Sequence, residues 1–389
     1  MSHYDITFSK EELERYSRHL IIPEFNIEGQ KKLKASGVLV IGSGGLGSPL
    51  LLYLAAAGVG RIGIVDFDTV DESNLQRQVL FGIQDVGESK ATAASKRLKS
   101  LNPYITIEVH DTMLTADNAR ELIRKYDVVA DGTDNFPTRY LVNDACVLEN
   151  KVNVYASIFR FEGQASVFNE LLQDGTRGPN YRDLFPSPPP PGLVPSCAEG
   201  GVIGVLPGIL GSIQALEVLK VISGVGDTLS GRLFLFDATV FSTRILKVRK
   251  NKNNPLNGEH PTQTELINYE QFCGIVPTSE KQREVAEMNV QKLDQWRKEG
   301  VKHLLIDVRE PYEYGIVEIG GELIPLGTVL ESTNRIPKDI PVVVQCRSGV
   351  RSATAIRELE DVHGYTNLIN LTGGILGWQE AIQPELPRY

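Results

Sequence analysis

A sequence of 389 residues is longer than one ordinary domain, so two domains are expected. Its composition, with 41% hydrophobic and 23% charged residues, is typical of a globular protein that buries ample cores. A formal net charge of −9 argues against nucleic acid or an anionic membrane surface as the main partner.

Cysteine use and the apolar segments indicate where the chain works. The four cysteines are widely spaced and form no disulfide framework, which favours a reducing cytoplasm: Cys146, Cys197, Cys273 and Cys346. The first ten residues lack the basic start and apolar core of a signal peptide. The most apolar stretch, residues 202–222, is broken by a proline and charged residues, which predicts a buried helix rather than a membrane span. We therefore expect a cytoplasmic protein with no membrane or nucleic-acid partner.

Short β-branched runs alternate with helical stretches from Val38 to Phe168. The predicted strands are "VLVIG", "RIGIVDF", "ITIEVH", "DVVADG" and "NVYASI". Such alternation predicts an α/β domain in which helices cover both faces of a mostly parallel sheet.

A glycine-rich turn follows the first of these strands and opens a helix. Gly42, Gly44 and Gly47 satisfy the G-x-G-x-x-G pattern of nucleotide-binding turns, and Gly45 lies within the same turn. The glycines let phosphate approach the backbone, and the helix amino end contributes partial positive charge. Asp66 ends the next strand, where an acid accepts hydrogen bonds from ribose hydroxyls. Taken alone, this pattern predicts a nicotinamide dehydrogenase.

Polar residues after the second strand favour a nucleoside triphosphate instead. They are Asp68, Asn74, Arg77 and Gln78, to which Lys90 and Arg18 add further cations. A triphosphate needs such cations to stabilise its leaving pyrophosphate. Asp134, in "DGTDN", follows another strand and is suited to hold Mg²⁺, which prefers carboxylate and phosphate oxygens. The alternative for each of Arg77, Lys90 and Arg18, considered alone, is a solvated charge on the surface.

The segments "RYSRHL", "GSGGLGS", "DFDTVDESNLQRQ", "DGTDN" and "SCAEGGVIGVLPGILGSIQALEVLK" resemble the adenylating enzymes of the MoeB/ThiF group, relatives of ubiquitin-activating E1. The resemblance implies a Rossmann-like adenylation domain over residues 8–250. It implies that ATP and Mg²⁺ are used to adenylate the terminal glycine of a ubiquitin-like sulfur-carrier protein with a Gly-Gly tail.

The same resemblance assigns residues to roles. Asp66 would bind ribose, Asp134 magnesium, and Asn74, Arg77 and Lys90 the phosphates. The rest of the predicted nucleotide site is Asp68, Gln78, Asn135 and the four glycines of the turn. Arg18 resembles a residue that enters the active site of the partner subunit, which implies a homodimer.

One departure from this family concerns zinc. Members commonly carry two Cys-x-x-Cys pairs that bind a structural zinc ion. The matching stretches read "NYRD" at residues 180–183 and "NPLNGEH" further on, with no cysteine in either. Because four thiolates are absent, we predict no zinc. Asp183, Glu259 and His260 are expected to be ordinary polar residues, not substitute ligands.

A proline-rich segment, "FPSPPPPGLVPS", lies within a predicted crossover loop at about residues 170–196. Cys197 follows this loop and has two interpretations. It is either a small core residue, or a second thiol that opens an acyl-disulfide and releases the product. Residues 251–284 are predicted to be a linker that lets the second domain reach the adenylate.

The last part of the chain, residues 285–389, predicts a second, smaller α/β domain. In "QCRSGVRS", the turn from Cys346 to Arg351 connects a predicted strand to a predicted helix. Backbone N–H groups of such a turn converge on an anion, and Arg347 and Arg351 add positive charge, which favours the reactive thiolate.

The segments "LLIDVREPYEY" and "TGGILGW" with this turn resemble the rhodanese (sulfurtransferase) family. That resemblance implies a persulfide on Cys346. In related cysteine phosphatases an arginine stands where this chain has Ser352, so the loop suits sulfur over phosphate.

Together these sites predict adenylation of a carrier followed by sulfur transfer from Cys346 to form a thiocarboxylate. A cysteine desulfurase or thiosulfate would supply the sulfur. Catalytic roles are therefore expected for Cys346, Arg347, Arg351, Cys197, Arg77 and Arg18. The alternatives are an enzyme that forms a thioester on Cys197 for protein conjugation, a carrier-binding scaffold, and a dehydrogenase. The sequence does not choose between molybdopterin, thiamin, cysteine or tRNA thiolation as the destination, nor between transfer within one chain and across a dimer.

Overall fold

The computed structural model describes residues 6–189, 200–274 and 283–388. The chain divides into two compact units, Met1–Val276 and Pro277–Tyr389.

The first unit is built around one sheet. Its strands are β1 (Gly37–Ile41), β2 (Arg61–Val65), β3 (Thr106–His110), β4 (Val128–Asp131), β5 (Val152–Phe159), β6 (Glu162–Phe168), β7 (Arg232–Asp237) and β8 (Ser242–Lys247). Its helices are α1 (Lys10–Arg15), α2 (Ser17–Leu20), α3 (Asn26–Ala35), α4 (Gly47–Ala57), α5 (Lys90–Leu101), α6 (Ala119–Arg124), α7 (Phe136–Leu148), α8 (Tyr181–Leu184), α9 (Val205–Ser223) and α10 (Tyr269–Phe272). Short 3₁₀ turns span Glu72–Asn74 and Ile83–Asp85.

The strand order in this sheet is β3-β2-β1-β4-β5-β6-β7-β8. Strands β3 to β5 in this order are parallel, whereas β6, β7 and β8 run antiparallel as a meander. Ile41 pairs with Val65 and Asp131, and Val65 pairs with His110. Four parallel strands therefore end level at one edge, where α/β folds bind ligands. The predicted mostly parallel α/β sheet is confirmed.

Hydrophobic cores lie on both faces of this sheet. Successive side chains of a strand point to opposite faces, so Val38 and Val40 pack in one core while Leu39 and Ile41 pack in the other. All four strand residues are buried, as expected for strands covered on both faces. Glycine ends α4, because Gly58 adopts the left-handed conformation (φ +84°) that a side chain disfavours.

Helix α9 is long and apolar enough to cross a membrane by length and composition alone. It packs against α3, α4, β5 and β6. Buried Gln214 near its middle donates to the backbone oxygens of Asp131 and Val154, at 2.7 and 2.8 Å. These contacts are those of a core helix in this unit, which is the role expected from its sequence.

The predicted linker, residues 251–284, begins with residues that pack onto the first unit. Tyr269, in α10, is buried, and its hydroxyl donates to Asp144 Oδ2 at 2.8 Å. Gln263 Nε2 donates to the same oxygen at 2.9 Å. Asp144 also pairs with buried Arg182 at 2.7 Å, so this one carboxylate joins α7, α8 and the segment before α10.

The second unit is a smaller α/β sandwich. Its elements are β9 (Glu287–Met288), α11 (Val290–Glu299), β10 (Leu304–Asp307), α12 (Pro311–Tyr314), β11 (Glu322–Leu323), β12 (Val342–Gln345), α13 (Val350–His363), β13 (Leu368–Leu371) and α14 (Gly374–Ala381). Two 3₁₀ turns, Leu326–Glu331 and Thr333–Arg335, precede β12. All its strands are parallel, in the order β11-β10-β12-β13-β9. Strand β12 lies at the centre, so the loop that follows it leaves the middle of the sheet.

Candidate functional site

The glycine-rich turn connects β1 to α4 very closely. Gly42 has φ +87°, a conformation that favours glycine. A Cβ atom on Gly47, the first residue of α4, would lie 2.1 Å from the carbonyl oxygen of Gly42. A side chain at this position is therefore excluded by the backbone itself. The turn brings the amino end of α4 to the edge where the parallel strands end, which suits an anion.

Asp66 directly follows β2 and is tied to this turn. Its Oδ2 accepts hydrogen bonds from the backbone N–H and the hydroxyl of Ser43, at 2.7 and 2.8 Å. Its Oδ1 accepts from the backbone N–H of Asp68 at 3.0 Å. A carboxylate has about four lone-pair positions, so acceptor capacity remains for ribose hydroxyls.

A cavity of about 210 Å³ opens at this edge of the sheet. Of the residues predicted for the nucleotide, those lining it are Gly42, Gly44, Gly45, Asp66, Asp68, Asn74, Arg77, Gln78, Lys90, Asp134 and Asn135. Gly47 is buried beneath the turn and does not line the cavity. Arg18 lies on α2, is exposed, and does not line it either.

The polar side chains of the cavity hold one another in place. Buried Lys90 Nζ lies 2.9 Å from Asp68 Oδ2, and this carboxylate is half exposed. Asn74 Oδ1 accepts from Gln78 Nε2 at 2.9 Å and from Arg77 Nη2 at 3.2 Å. Because hydrogen bonds already hold these side chains in place, they need little rearrangement to stabilise negative charge that develops on a ligand. The wall therefore presents two positioned cations.

The "DGTDN" segment follows β4 and forms another wall. Asp131 is fully buried, and its Oδ1 accepts from the backbone N–H and the hydroxyl of Thr133, at 3.0 and 2.6 Å. Burial raises the pKa of this carboxyl. Asn135 caps α7 by accepting from the backbone N–H of Thr138 at 3.0 Å. Asp134, between them, is exposed on the cavity wall and available to a cation.

Sequence reasoning missed part of this cavity. Arg139 lines it and is buried, with its Nη2 donating to the carbonyl oxygen of Thr133 at 3.2 Å. The sequence could have indicated Arg139, because it lies in α7 four residues after Asn135, and residues four apart lie on one helix face. Thr112, Met113 and Leu114 also line the cavity from the loop after β3. No motif marks this loop.

The stretches that replace the two Cys-x-x-Cys pairs form a polar cluster, which we call the asparagine knot: Asn180, Asp183, Asn254 and Asn257. Asn180 Nδ2 donates to Asn257 Oδ1 at 3.0 Å, and Asn254 Nδ2 donates to Asp183 Oδ1 at 2.8 Å. Asn180 and Asn254 are buried. Hydrogen bonds thus join α8 to the segment after β8. Within the described ranges, no group of three or more His, Cys, Asp or Glu side chains forms a metal-binding arrangement.

In the second unit, Cys346 directly follows β12 and is 1% exposed. Its Sγ accepts from the backbone N–H of Gly349 at 3.1 Å, and the hydroxyl of Ser352 lies 3.4 Å away. The "TGGILGW" segment packs directly on this loop. A Cβ on Gly374 would lie 2.4 Å from the carbonyl oxygen of Cys346, and Ile375 N donates to that oxygen at 2.9 Å. Glycine at 374 therefore permits the loop to close.

Acidic residues of "LLIDVREPYEY" form ion pairs with two arginines near the thiol loop, as we call residues 346–351. Arg351 is paired with Glu313 through two contacts of 2.7 Å. Arg309 is fully buried against Asp307, whose Oδ2 also accepts from Gln345 Nε2 at 2.9 Å. Because Gln345 precedes Cys346, this buried ion pair fixes the end of β12. Arg347 is partly exposed in the thiol loop.

The remaining cysteines differ from Cys346 in their surroundings. Cys146, in α7, is fully buried, and burial raises the pKa of its thiol well above the usual value. Burial likewise raises the pKa of Cys273 to about 11. Both are therefore poor thiolates at neutral pH. Cys197 and the end of the predicted crossover loop lie outside the described residues.

Residues 16–257 match the ThiF family and residues 289–381 match the Rhodanese-like domain. The chain is 50% identical to "Probable adenylyltransferase/sulfurtransferase MoeZ" of Mycobacterium tuberculosis, over 98% of this chain and 96% of the relative. It is 54% identical to "Sulfur carrier protein adenylyltransferase" of Thermus thermophilus, over 69% of this chain and 99% of the relative. It is 42% identical to "Adenylyltransferase and sulfurtransferase MOCS3" of Drosophila sechellia, over 98% and 86%.

Among solved structures, the fold is similar to E. coli MccB, with a TM-score of 0.56 and 20% identity over 67% of this chain and 75% of that one. A structure of MccB with AMPCPP and MccA gives a TM-score of 0.55 at 19% identity, over 65% and 75%. At this identity the similarity concerns the fold.

Proposed function

This chain belongs to the ThiF family and carries a rhodanese-like domain, and from that premise we infer that it is both an adenylyltransferase and a sulfurtransferase. It uses ATP, and its protein substrate is a ubiquitin-like sulfur carrier. The finer proposal is that it adenylates the terminal glycine of a Gly-Gly tail and converts that carboxylate to a thiocarboxylate. Such a carrier would supply sulfur for the biosynthesis of sulfur-containing compounds, for example molybdopterin or thiamin.

The cavity at the edge of the first sheet carries this proposal, because its groups match those of ATP. Asp66 keeps lone pairs for ribose, and Lys90 and Arg77 place positive charge for the phosphates. A carboxylate is a poor acyl donor, since its leaving group would be oxide. Attack of the carrier's carboxylate oxygen on the α-phosphorus of ATP releases pyrophosphate and forms an acyl-adenylate, whose leaving group is AMP. Lys90 and Arg77 would stabilise the negative charge that develops on the phosphates.

Magnesium is proposed at Asp134. This carboxylate is exposed on the cavity wall beside the groups assigned to phosphate, and Mg²⁺ is usually held by one or two carboxylates together with substrate phosphates. When bound, the ion would neutralise phosphate charge. The proposal of no structural zinc is supported by the asparagine knot, which offers amide groups where a zinc site needs thiolates.

Sulfur delivery is proposed at Cys346. As a persulfide, its terminal sulfur attacks the acyl carbon of the adenylate, and AMP leaves. The resulting acyl-disulfide is opened when a second thiol attacks Cys346 Sγ, which releases the thiocarboxylate and leaves a disulfide for an external thiol to reduce. We propose Cys197 as this second thiol. A cysteine desulfurase or thiosulfate is proposed to reload Cys346. Positive charge near Sγ is proposed to come from the backbone N–H of Gly349 and from Arg347, and Arg351 is paired with Glu313.

An exposed apolar surface supports docking of a protein carrier. The β5–β6 turn lies at the same end of the sheet as the cavity, because β5 is parallel to β4. The β7–β8 turn lies at that end too, because β6 is antiparallel to both β5 and β7. Side chains at these turns are unusually exposed for their type: Phe161 at 47%, Val240 at 69% and Phe241 at 82%. Exposed apolar patches commonly mark protein interaction sites. We name Phe161, Val240 and Phe241 the apolar rim and propose that the body of the carrier rests on it.

A homodimer is proposed because Arg18 stands apart from the cavity of its own chain. Ile21 and Ile22, just after it, are 67% and 44% exposed. A second copy covering this surface would bury both isoleucines and carry Arg18 towards a neighbouring cavity. A two-fold interface places the same residues on both sides.

Exchange of labelled pyrophosphate into ATP tests the adenylation step. Purified protein with ATP, Mg²⁺ and a glycine-ended carrier should catalyse this exchange. The Cys346→Ala variant should retain the exchange and lose transfer of sulfur from thiosulfate to cyanide. Absence of exchange with every carrier would contradict adenylation, and sulfur transfer by Cys346→Ala would contradict its role. Recovery of a carrier–Cys197 adduct that contains no sulfane sulfur would favour thioester conjugation instead.

A further inference from the structure

Ser352 lies in the first turn of α13 and is fully buried beside the thiol. Its Oγ is 3.4 Å from Cys346 Sγ and 2.6 Å from Asn370 Oδ1. Asn370 belongs to β13, the strand next to β12, and its Nδ2 donates to Glu287 Oε1 at 3.4 Å. This contact places the amide nitrogen towards Glu287, so the amide oxygen faces Ser352.

A serine hydroxyl has one hydrogen and two lone pairs, so it cannot donate to both neighbours at once. The carbonyl oxygen of Asn370 only accepts, and it is the closer partner at 2.6 Å. While Cys346 is a thiol, Ser352 therefore donates to Asn370 and accepts from the S–H group. A thiolate has no hydrogen to give. Once Sγ carries negative charge, the Ser352 hydroxyl gains by rotating its hydrogen to the sulfur, because hydrogen bonds to charged atoms are the stronger ones.

We propose that Ser352 is a catalytic residue of sulfur transfer and that Asn370 positions it. This proposal rests on the assignment of the persulfide to Cys346. When a nucleophilic acceptor such as cyanide attacks the terminal sulfur, the bond between that sulfur and Sγ breaks and its electron pair stays on Sγ. The new bond joins the terminal sulfur to the acceptor, and Cys346 leaves as a thiolate. The backbone N–H of Gly349, at 3.1 Å, and the rotated hydroxyl of Ser352 then both donate to this thiolate.

The Ser352→Ala variant tests the hydroxyl directly. It should lower kcat for sulfur transfer from thiosulfate to cyanide about tenfold, the effect of losing one hydrogen bond to a charged group. KM for thiosulfate should change little. The pH profile of Cys346 alkylation by iodoacetamide should move to higher pH, which a purely structural change would not produce. Ser352→Thr restores a hydroxyl and should recover most of kcat.

Thr354→Ala is the matched control. Thr354 lies two residues along the same helix, and its hydroxyl donates only to the backbone oxygen of Val350 among the described contacts, at 3.3 Å. Its loss should leave sulfur transfer and the alkylation profile unchanged. Exchange of pyrophosphate into ATP, which the first unit performs, should be equal in all these variants.

Asn370→Leu gives a second and opposite test. Without the amide oxygen, Sγ is the remaining partner of the Ser352 hydroxyl among its described contacts, so alkylation of Cys346 should become several-fold faster than in the wild type. The Ser352→Ala/Asn370→Leu double variant should behave like Ser352→Ala alone. Wild-type kcat and an unchanged alkylation profile in Ser352→Ala would overturn the proposal if Cys346→Ala is inactive. If Cys346→Ala keeps transferring sulfur, the assignment of the persulfide fails instead.

Discussion

Ser43 donates both its backbone N–H and its hydroxyl to Asp66 Oδ2, at 2.7 and 2.8 Å. Hydrogen bonds therefore join the glycine-rich turn to the acid that follows β2. Asp66 is 8% exposed, and its carboxylate is fixed before any nucleotide arrives. Positioning of this kind reduces the conformational entropy that binding costs.

Asp66→Asn should raise KM for ATP about tenfold to a hundredfold, since a charged acceptor contributes roughly 1.5–3 kcal/mol when hydrogen-bonded. Ser43→Ala removes one of the two contacts and should have a smaller effect in the same direction. Pyrophosphate exchange at varied ATP concentration measures both. Asp117→Asn, an exposed acid outside the cavity, is the control. An unaltered KM in Asp66→Asn would remove the ribose-binding role.

Arg18 is expected to act in a neighbouring subunit. Arg18→Ala and Lys90→Met should each lose most pyrophosphate exchange when present alone. Co-expression with two affinity tags should yield a mixed dimer with one intact cavity, formed by the native Lys90 of one chain and the native Arg18 of the other. Random pairing should restore about a quarter of wild-type activity in the unfractionated mixture. Mixed dimers that stay inactive would contradict action across the interface.

The cavity was predictable where local sequence pattern determines position. Parallel strands end at one edge of a sheet, so residues just after β1, β2 and β4 had to meet there, and Gly42, Asp66 and Asp134 do line one cavity. Lys90 also lines this cavity, where it begins α5, but its role at the phosphates was implied by the family resemblance. The placement of Gly42, Asp66 and Asp134 needed only element order and the chemistry of the residue types.

Contacts between segments far apart in sequence were not predictable in the same way. Asn180 and Asn254 lie 74 positions apart, and neither has a pattern that names the other. Arg351 was expected to act on the thiol, yet its guanidinium is paired with Glu313, which α12 brings to it. Such pairings depend on how helices and loops pack, which periodicity does not specify.

The asparagine knot should make the first unit stable without metal. Removal of metals by a strong chelator should leave its melting temperature unchanged. Asn254→Ala should lower the free energy of unfolding by about 1–3 kcal/mol, because it removes hydrogen bonds to Asp183 and Asn180 and leaves buried polar atoms unsatisfied. Exposed Asn253→Ala is the matched control. One tightly held zinc ion per purified chain, or a chelator-dependent melting temperature, would disprove this account.

Substitution in the apolar rim should weaken binding of the carrier and leave binding of ATP unchanged. Phe241→Asp should raise KM for the carrier about tenfold, since it places a charge on the proposed docking surface, while KM for ATP stays at its wild-type value. Val109→Asp is the control, because Val109 is an exposed apolar residue on β3, at the opposite edge of the sheet. Equal effects of the two substitutions would place the carrier elsewhere.

The central claim is that this chain makes a carrier's terminal acid reactive and then gives it sulfur from Cys346. The most direct measurement is the intact mass of a Gly-Gly carrier after incubation with the full chain, ATP, Mg²⁺, thiosulfate and a thiol reductant. The mass should increase by one exchange of oxygen for sulfur, only when ATP is present, and not with Cys346→Ala. A carrier that forms its adenylate yet never gains sulfur would contradict the account.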